Sequence, residues 1–441
     1  MLKSKKNIFP LLGILYLVAF GFFIWGLAVG KYQVFPWAQI DAIYSEVHAY
    51  LTFEEAPEKT ATQQVMLHHQ ENRSKFDFGG LKVRDSSFHD SGYLLISGFS
   101  KTHTQVVVEL YSIAQDKVLH RWIPDIDDIL ERTPEFSDGP NMVKSYRVQH
   151  PLLLEDGGLV FTSGAGPMVK INRCSEIQWV LVHKFHHSIE LDHQGNIVTC
   201  SKIDGDGPDT VLPIRDDAIA VVSPEGTLID EYSIAKILLD NGHRTLIYGI
   251  GRFEHNRIHL NDAHPIIEEA GIAETGDVLI SSRHLSTVGL VEPESSTIKW
   301  LKTGPWLNQH DINLLPDGRY SIFGNDMVRG YNKTGNVLVE KGVSDIYIYD
   351  PATDTVTQPY SAVMRAEKIG SLSQGRSRVL ANGDVYIEQT DSARLLRISD
   401  KEVRWEYVNA VSENTVGALH WSRYLTNEEV DLHWLNGLNC K

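Results

Sequence analysis

The chain has 441 residues, a formal net charge of -16 and 42% hydrophobic residues. A chain of this length and apolar content can bury a large core, and its acidic balance argues against binding duplex nucleic acid, which needs a basic face. Its three cysteines have no CxxC spacing, which argues against a thiolate zinc site.

The N-terminus carries a predicted membrane anchor. Three lysines precede a run from Ile8 to Gly30 that contains no charged residue. At about 1.5 Å per residue this run can span a hydrocarbon core of about 30 Å, and the lysines should stay in the cytoplasm. We therefore predict that residues 1–30 are a single-pass signal anchor in a cell inner membrane, with the body in the periplasm or extracytoplasmic space. The alternative is a signal peptide cleaved near residues 28–30.

A connector is predicted over residues 31–79. Between Trp37 and Phe53 the apolar residues follow helical spacing, which indicates a short amphipathic helix. Such a helix would lie on the membrane surface or pack on the folded body, and both placements stay open at this point.

A turn followed by a strand recurs six times between residues 80 and 441. In each unit a small or acidic residue and a glycine form a tight turn, and an alternating β-prone run follows. The instances are DSGYLLISG (90–98), EDGGLVFTSG (155–164), HQGNIVTC (193–200), ETGDVLISS (274–282), PDGRYSIFG (316–324) and ANGDVYIEQ (381–389). Units at roughly 40–60-residue spacing are typical of propeller blades and too short for separate β-sandwiches. We therefore predict an all-β fold, a six-bladed β-propeller.

Histidines recur at one position relative to the turn glycine. Counting eight residues back from that glycine gives, in chain order, Arg84, His150, His187, His310 and Gly375. The fourth unit has an insertion over residues 234–272, and His259 and His264 stand just upstream of its turn. Because inner strands converge on the axis of a propeller, these side chains are expected at one end of its channel. The alternative for each histidine is a structural bond to a neighbouring blade.

The cysteines allow one disulfide in an oxidising compartment. Cys174 and Cys200 are the predicted pair, because both fall in neighbouring strand regions, whereas Cys440 is the penultimate residue and is expected outside the folded part. The alternative is three unpaired thiols. The pair His420–Trp421, after the sixth unit, is predicted to pack at the closure or rim of the fold, and the alternative for His420 is a place in the channel.

Four motifs follow one another in the middle of the chain. They are HHSIEL with a following GN turn (186–196), IHLND (258–262), GDVLISSR (276–283) and QHDINLLPDGRYSIFGN (309–325). Together they resemble the arylsulfotransferase family, the PAPS-independent aryl sulfate sulfotransferases, most strongly over residues 183–330. The resemblance implies a six-bladed propeller. It also implies transfer of a sulfuryl group from a phenolic sulfate ester to a phenol through a sulfated histidine.

The resemblance also implies catalytic residues. His310 in QHD matches the nucleophile of the family. His259 in IHLN and Arg283 in SSR match residues that hold the sulfuryl oxygens. His187 in HHSIE matches a third active-site histidine. A neutral imidazole is a good nucleophile, and a second histidine is expected to protonate the departing oxygen.

Three further residues are predicted to contribute to substrate binding. They are His186, which is the alternative equivalent of His187, together with Asn325 and His150. The expected partners are a small aryl sulfate donor and a hydroxyl acceptor. No metal and no cofactor is expected, and the chain contains no Gly-rich phosphate loop.

Two other functions fit part of the pattern. Three converging histidines would also suit Zn²⁺ or Fe²⁺ in a metalloenzyme, although Arg283 is a poor neighbour for a cation. A non-catalytic envelope scaffold needs no histidine register at all. The donor, the acceptor, and transfer as opposed to hydrolysis stay open.

Overall fold

The computed structural model describes residues 8–32, 67–69, 76–136, 146–204, 214–249, 251, 253–328, 337–339 and 343–440. The chain divides into two compact units, Met1–Thr60 and Ala61–Lys441. The predicted amphipathic helix at residues 37–53 lies outside the described residues.

The described part of the first unit is helix α1 (Ile8–Tyr32), which has 25 residues. Its large apolar side chains between Ile14 and Leu27 are exposed. Among the residues that the structure describes, no helix satisfies the length and hydropathy that a membrane span requires. The anchor therefore stays a prediction.

The second unit is built mainly from strands, so the predicted all-β class is confirmed. The strands are β1 (Leu67–His69), β2 (Gly80–Val83), β3 (Tyr93–Ser100), β4 (Gln105–Ser112), β5 (Lys117–Trp122), β6 (Gln149–Leu153), β7 (Leu159–Thr162), β8 (Gly166–Ile171), β9 (Ile177–Leu191), β10 (Ile197–Ile203), β11 (Asp216–Val222), β12 (Leu228–Ser233), β13 (Leu260–Pro265), β14 (Val278–Ser282), β15 (Thr287–Glu292), β16 (Thr297–Thr303), β17 (His310–Leu314), β18 (Tyr320–Gly324), β19 (Met327–Val328), β20 (Val337–Leu338), β21 (Asp345–Asp350), β22 (Thr355–Thr357), β23 (Arg376–Val379), β24 (Val385–Gln389), β25 (Arg394–Ile398), β26 (Val403–Val408), β27 (Ala410–Ser412), β28 (Thr415–Gly417) and β29 (Arg423–Leu425).

Short helices connect some of these strands. They are α2 (Ile126–Arg132), α3 (Ile234–Asp240), α4 (Arg244–Tyr248) and α5 (Ser361–Ala366), with 3₁₀ turns at Pro134–Phe136, Arg283–Leu285, Thr390–Ser392 and His433–Leu435. Helices α3 and α4 lie inside the predicted insertion. Helix α3 begins there because the side chain of Ser233 accepts a hydrogen bond from the backbone N–H of Lys236, which caps its first turn.

The strands pair antiparallel in a propeller-like arrangement of sheets. The larger sheets have the strand orders β29-β3-β4-β5, β13-β14-β15-β16, β17-β18-β21-β22, β2-β26-β25-β24-β23 and β12-β11-β10-β9-β8-β7-β6. Each predicted turn leads directly into one strand, namely β3, β7, β10, β14, β18 or β24. The strands β6, β9 and β17, which pair with β7, β10 and β18, carry His150, His187 and His310, and His259 directly precedes β13, which pairs with β14.

The first of the six turn-and-strand repeats differs from the prediction in one respect. Its strand β3 pairs with the C-terminal strand β29, with Arg423 opposite Leu95. Arg84 instead follows β2 at the far edge of another sheet, where its Nη1 donates to Oε1 of Glu406 at 2.8 Å. The strand next to β3 comes from the C-terminal end of the chain. Counting back from Gly92 therefore gave Arg84, which precedes β3 in the sequence but does not lie in the strand that pairs with it.

Apolar clusters fill the space between neighbouring sheets. One of them packs Leu95, Val108 and Trp122 of one sheet against Phe161 and Val169 of the next. Burying one large apolar side chain contributes about 1.5–3 kcal/mol. This packing of side chains holds adjacent sheets together. It therefore fixes the strands of one sheet relative to those of the next.

The predicted Cys174–Cys200 disulfide is wrong. Cys174 is bonded to Cys440, 266 residues further along the chain, and Cys200 is a buried free thiol in β10. The prediction treated Cys440 as lying outside the folded part. In the structure the C-terminal segment packs on the body, because the ring of Trp434 lies 5.6 Å from that of Trp122.

Candidate active site

Three of the predicted histidines come together from three different sheets, in or next to the strands β9, β13 and β17. His187 lies in β9, His259 directly precedes β13, and His310 begins β17. The ring of His187 lies 5.4 Å from that of His259 and 6.1 Å from that of His310. We call these three residues the histidine cluster.

The backbone at these histidines departs from regular strand geometry, which changes the direction of their side chains. His187 and His259 have positive φ angles of 62° and 52°, a conformation that is uncommon outside glycine. The strand register shifts opposite His187, and it shifts again between His310 and Ile312. A β-bulge bends a strand and redirects its side chains, and bulges and positive φ angles concentrate at functional sites.

Trp421 forms one wall of the cluster. Its fully buried ring lies 5.9 Å from that of His187 and 6.2 Å from that of His310. Trp421 was predicted at the closure or rim of the fold. Its place beside the histidines follows from β29, which brings the C-terminal end of the chain back to β3.

His150 does not belong to the cluster. Its Nδ1 accepts a hydrogen bond from the backbone N–H of Ile189 at 2.9 Å, and its Nε2 contacts Arg376. The turn glycine of this unit that has a positive φ is Gly157, not Gly158, so His150 stands seven residues before it, whereas His187 and His310 stand eight residues before Gly195 and Gly318. These contacts fit the alternative given for each histidine, a structural bond to a neighbouring part of the fold.

Asn325 orients the ring of His310. The Oδ1 of Asn325 lies 2.7 Å from Nδ1 of His310, while its Nδ2 donates to the carbonyl oxygens of Ser371 and Gln374 at 3.0 and 2.8 Å. Because both protons of the amide nitrogen face acceptors, its oxygen must face His310. Nδ1 of His310 is then the protonated nitrogen and Nε2 carries the lone pair.

His186 lies behind His187, away from the rest of the cluster. The two Nδ1 atoms are 2.8 Å apart, and Nε2 of His186 lies 3.1 Å from Nη2 of Arg215. Nε of Arg215 forms an ion pair with Oδ1 of Asp217 at 2.7 Å. His186 thus contacts protein groups on both sides of its ring, and its role in substrate binding stays a prediction.

The insertion and the end of β14 enclose His259. Its Nδ1 lies 2.9 Å from Nδ2 of Asn256, and its ring stacks on that of His284 at 4.3 Å. Arg283 follows β14, and its backbone N–H donates to the carbonyl oxygen of His259 at 3.0 Å. The predicted Arg283 is thereby placed beside the cluster, while His284 and Asn256 were missed.

The three cluster histidines are neutral at neutral pH. Their removal from bulk water is the main cause that holds each pKa well below the usual value of 6.5. Nearby groups lower the pKa further: His186 for His187, His284 for His259, and Arg283 for His310. Arg215 also lowers the pKa of His187 and His259. Neutral rings beside two guanidinium groups suit an anionic ligand.

A second group of charged residues lies next to Trp421 and His150. Nη2 of Arg376 lies 3.6 Å from Oδ1 of Asp311. Burial and the neighbouring Asp311 raise the pKa of Asp262 to about 8. Oδ2 of Asp262 accepts from the backbone N–H of Ile312 at 2.8 Å, and Oδ2 of Asp311 accepts from that of Ser377 at 2.8 Å. These carboxyl groups therefore tie successive first strands to one another.

Arg215 was not predicted, because it lies just before β11 and not at the fixed distance before a turn glycine at which the histidines recur. His284 could have been found as the residue after Arg283 in SSRH. Within the described ranges, no group of three or more His, Cys, Asp or Glu residues could hold a metal ion.

The fold is similar to that of solved structures. A protein of unknown function from Bacteroides caccae has a TM-score of 0.50 at 10% identity, covering 76% of this chain and 99% of that one. At this identity the likeness shows the fold alone. Virginiamycin B lyase from Staphylococcus aureus has a TM-score of 0.38 at 11% identity, covering 78% of this chain and 99% of its own, and we draw no conclusion from it.

A comparison with curated proteins found no match. The arylsulfotransferase (ASST) family matches residues 150–410, which include the histidine cluster, Arg283 and Asn325. This range is more than half of the chain. The chain therefore belongs to the arylsulfotransferase family.

Proposed function

We propose that the protein is a PAPS-independent aryl sulfotransferase that moves a sulfuryl group from an aryl sulfate ester to a phenolic or other hydroxyl acceptor. The observation that carries this proposal is the bond between Asn325 and His310, which leaves Nε2 of a buried neutral imidazole as a nucleophile beside two further histidines. Family membership supports the reaction class.

In the first half-reaction, Nε2 of His310 attacks the sulfur atom. The N–S bond forms as the bond between sulfur and the aryl oxygen breaks, and the electron pair of that bond stays on the aryl oxygen. The imidazole ring of His310 becomes positively charged. Its Nδ1–H then donates a charge-assisted hydrogen bond to Oδ1 of Asn325, 2.7 Å away, which stabilises the adduct.

The neighbouring groups stabilise the charges on the donor. The guanidinium of Arg283 acts on the non-bridging sulfuryl oxygens, and it lies close enough to lower the pKa of both His310 and His259. The lowered pKa of His187 favours a hydrogen bond from a neutral N–H to the departing aryl oxygen over a full proton transfer. The phenolate then takes its proton from solvent.

In the second half-reaction an acceptor oxygen attacks the same sulfur atom. The N–S bond breaks, its electron pair returns to Nε2 of His310, and the acceptor releases its proton to solvent. Water in place of the acceptor would give hydrolysis. The product is a new sulfate ester, and the enzyme returns to its starting state without a cofactor.

We further propose that the sheets are the six blades of a propeller. The seven-stranded sheet counts as two blades, because the 15-residue strand β9 pairs with β8 through its first half and with β10 through its second. The pairing of β29 with β3 supports a closed ring. Closure would bring the first strands of all six blades around one axis.

We also propose that α1 anchors the protein in the cell inner membrane, with the propeller on the extracytoplasmic side. The disulfide between Cys174 and Cys440 supports this location, because disulfides persist in oxidising compartments. Labelling intact cells with a membrane-impermeant reagent tests the location. Labelling of the body only after the inner membrane is broken would contradict it.

The test of activity is release of 4-nitrophenol from 4-nitrophenyl sulfate by the full-length protein, with and without added phenol. We expect release that depends on phenol and disappears in His310→Ala. The control is His433→Ala, since the His433 side chain is 88% exposed. Release without an acceptor would make the protein a sulfatase. No release from any of several aryl sulfates, by folded protein, would refute the proposed function.

A further inference from the structure

Arg215 fixes the position of the proton on His186. A guanidinium can only donate hydrogen bonds, and Nη2 of Arg215 lies 3.1 Å from Nε2 of His186. Nε2 of His186 must therefore be the acceptor in this contact. In a neutral ring the proton then resides on Nδ1.

The proton on His186 fixes the proton on His187 in turn. The two Nδ1 atoms are 2.8 Å apart, so one must donate and the other accept. Nδ1 of His186 carries the proton and donates, and Nδ1 of His187 accepts. The proton of His187 is left on Nε2, and no described residue hydrogen bonds to that atom.

We propose that Arg215 and His186 are positioning residues that hold His187 in the tautomer with its proton on Nε2, so that His187 presents an N–H to the aryl oxygen. This inference rests on the proposed function. His310 is held in the opposite state by Asn325, with a lone pair on Nε2. One ring of the cluster is thus set as a donor and another as a nucleophile.

The groups behind His187 are held rigidly enough to enforce this state. His186 is 2% exposed and Asp217 is fully buried. Arg215 is bound at its side chain by Asp217 and at its backbone N–H by the carbonyl oxygen of His255, 2.8 Å away. Oδ2 of Asp217 accepts from the backbone N–H of Leu260 at 3.0 Å. The insertion therefore supports Arg215 through His255.

Removing Arg215 would reverse the chain of donors. Oδ1 of Asp217 lies 3.5 Å from Nε2 of His186 and would become the nearest described partner of that atom. His186 would then carry its proton on Nε2, and its Nδ1 would accept from His187. Nε2 of His187 would be left with a lone pair, which repels negative charge on the aryl oxygen.

The test compares two donors with the full-length enzyme in Arg215→Met. 4-Nitrophenyl sulfate has a good leaving group and phenyl sulfate a poor one, which develops more negative charge on its oxygen. Loss of a hydrogen bond to a charged group lowers kcat/KM by about 10- to 150-fold. We expect this loss with phenyl sulfate and a smaller one with 4-nitrophenyl sulfate. Arg319→Met, at an exposed arginine paired with Asp317, should match wild type.

Two substitutions at His186 test whether a hydrogen-bond donor at the position of its Nδ1 is enough to keep activity. His186→Asn can place an amide N–H near the position of Nδ1 and should restore most of the activity with phenyl sulfate, whereas His186→Leu should behave like Arg215→Met. Equal losses with both donors, or no rescue by asparagine relative to leucine, would overturn the proposal.

The ¹⁵N NMR spectrum of histidine-labelled wild-type protein reports the tautomer independently of activity. A proton on Nδ1 of His187 would overturn the relay even if the enzyme is active. Wild type that transfers no sulfuryl group, with His187 protonated on Nε2, would instead refute the proposed function and leave the tautomer assignment standing.

Discussion

Asn325→Leu removes the only described hydrogen-bond acceptor of the His310 ring. Asn325 is fully buried, and its Oδ1 lies 2.7 Å from Nδ1 of His310. In the transition state this bond is made to a ring that is gaining positive charge. A hydrogen bond to a charged group contributes about 1.5–3 kcal/mol, so kcat/KM should fall by about 10- to 150-fold.

The same substitution also affects stability, and a matched variant separates the two effects. Leucine leaves the carbonyl oxygen of Gln374 without a described donor, at a cost of about 1–3 kcal/mol, while the carbonyl oxygen of Ser371 keeps only the hydroxyl of Ser344 at 3.5 Å. Asn241, a half-buried residue outside the site, also donates from Nδ2 to two carbonyl oxygens, those of Ile237 and Ser296, and the Ile237 oxygen has a second donor in the backbone N–H of Asn241. Asn241→Leu should therefore lose similar stability and keep its activity.

The assay is kcat/KM for 4-nitrophenyl sulfate with saturating phenol, measured well below the Tm of each variant. Chemical denaturation gives the two free energies of unfolding. If Asn325→Leu stays within about threefold of wild type while it is destabilised like Asn241→Leu, Nε2 of His310 is not set by Asn325, and the mechanism proposed for that ring fails.

Three further predictions follow from the site and the disulfide. Because the pKa values of the histidine cluster lie well below 6.5, kcat should stay constant as pH falls through 6.5, and a loss of rate centred on 6.5 in a pH–rate profile would contradict the neutral state. The unfolded histidines take up protons at higher pH than the folded ones, so the cluster lowers the free energy of unfolding as pH falls below about 6.5, whereas the raised pKa of Asp262 acts in the opposite direction; denaturation of wild type and of His187→Gln at several pH values isolates the sign of the histidine contribution. Arg283→Met should lower kcat/KM by about 100-fold through loss of the sulfuryl contact, whereas Arg319→Met should not, and equal values would place Arg283 outside the site. Cys440→Ser should reduce stability by about 2–5 kcal/mol without affecting kcat, as denaturation and the transfer assay would show, and an unchanged denaturation midpoint would mean that Cys174 and Cys440 are not bonded.

The repeated strands and two members of the histidine cluster could be predicted from local patterns. A turn glycine with a positive φ and an alternating run after it determine a turn and a strand within about ten residues. Gly195 and Gly318 are such glycines, and His187 and His310 stand at the same distance before them. The count failed at His150 because two glycines are adjacent there, and the pattern does not show which of them has the positive φ.

Other features depend on residues that are far apart along the chain. Trp421 lies beside the histidine cluster, and Cys440 is bonded to Cys174, in a C-terminal segment that returns to the body where β29 pairs with β3. Arg215 contacts His186 because the insertion holds its backbone through His255. The conformation of a turn depends on its own residues, and a sequence pattern records it. Contacts across hundreds of residues form only when whole sheets pack, so they depend on the shape of the assembled core and leave no local pattern to read.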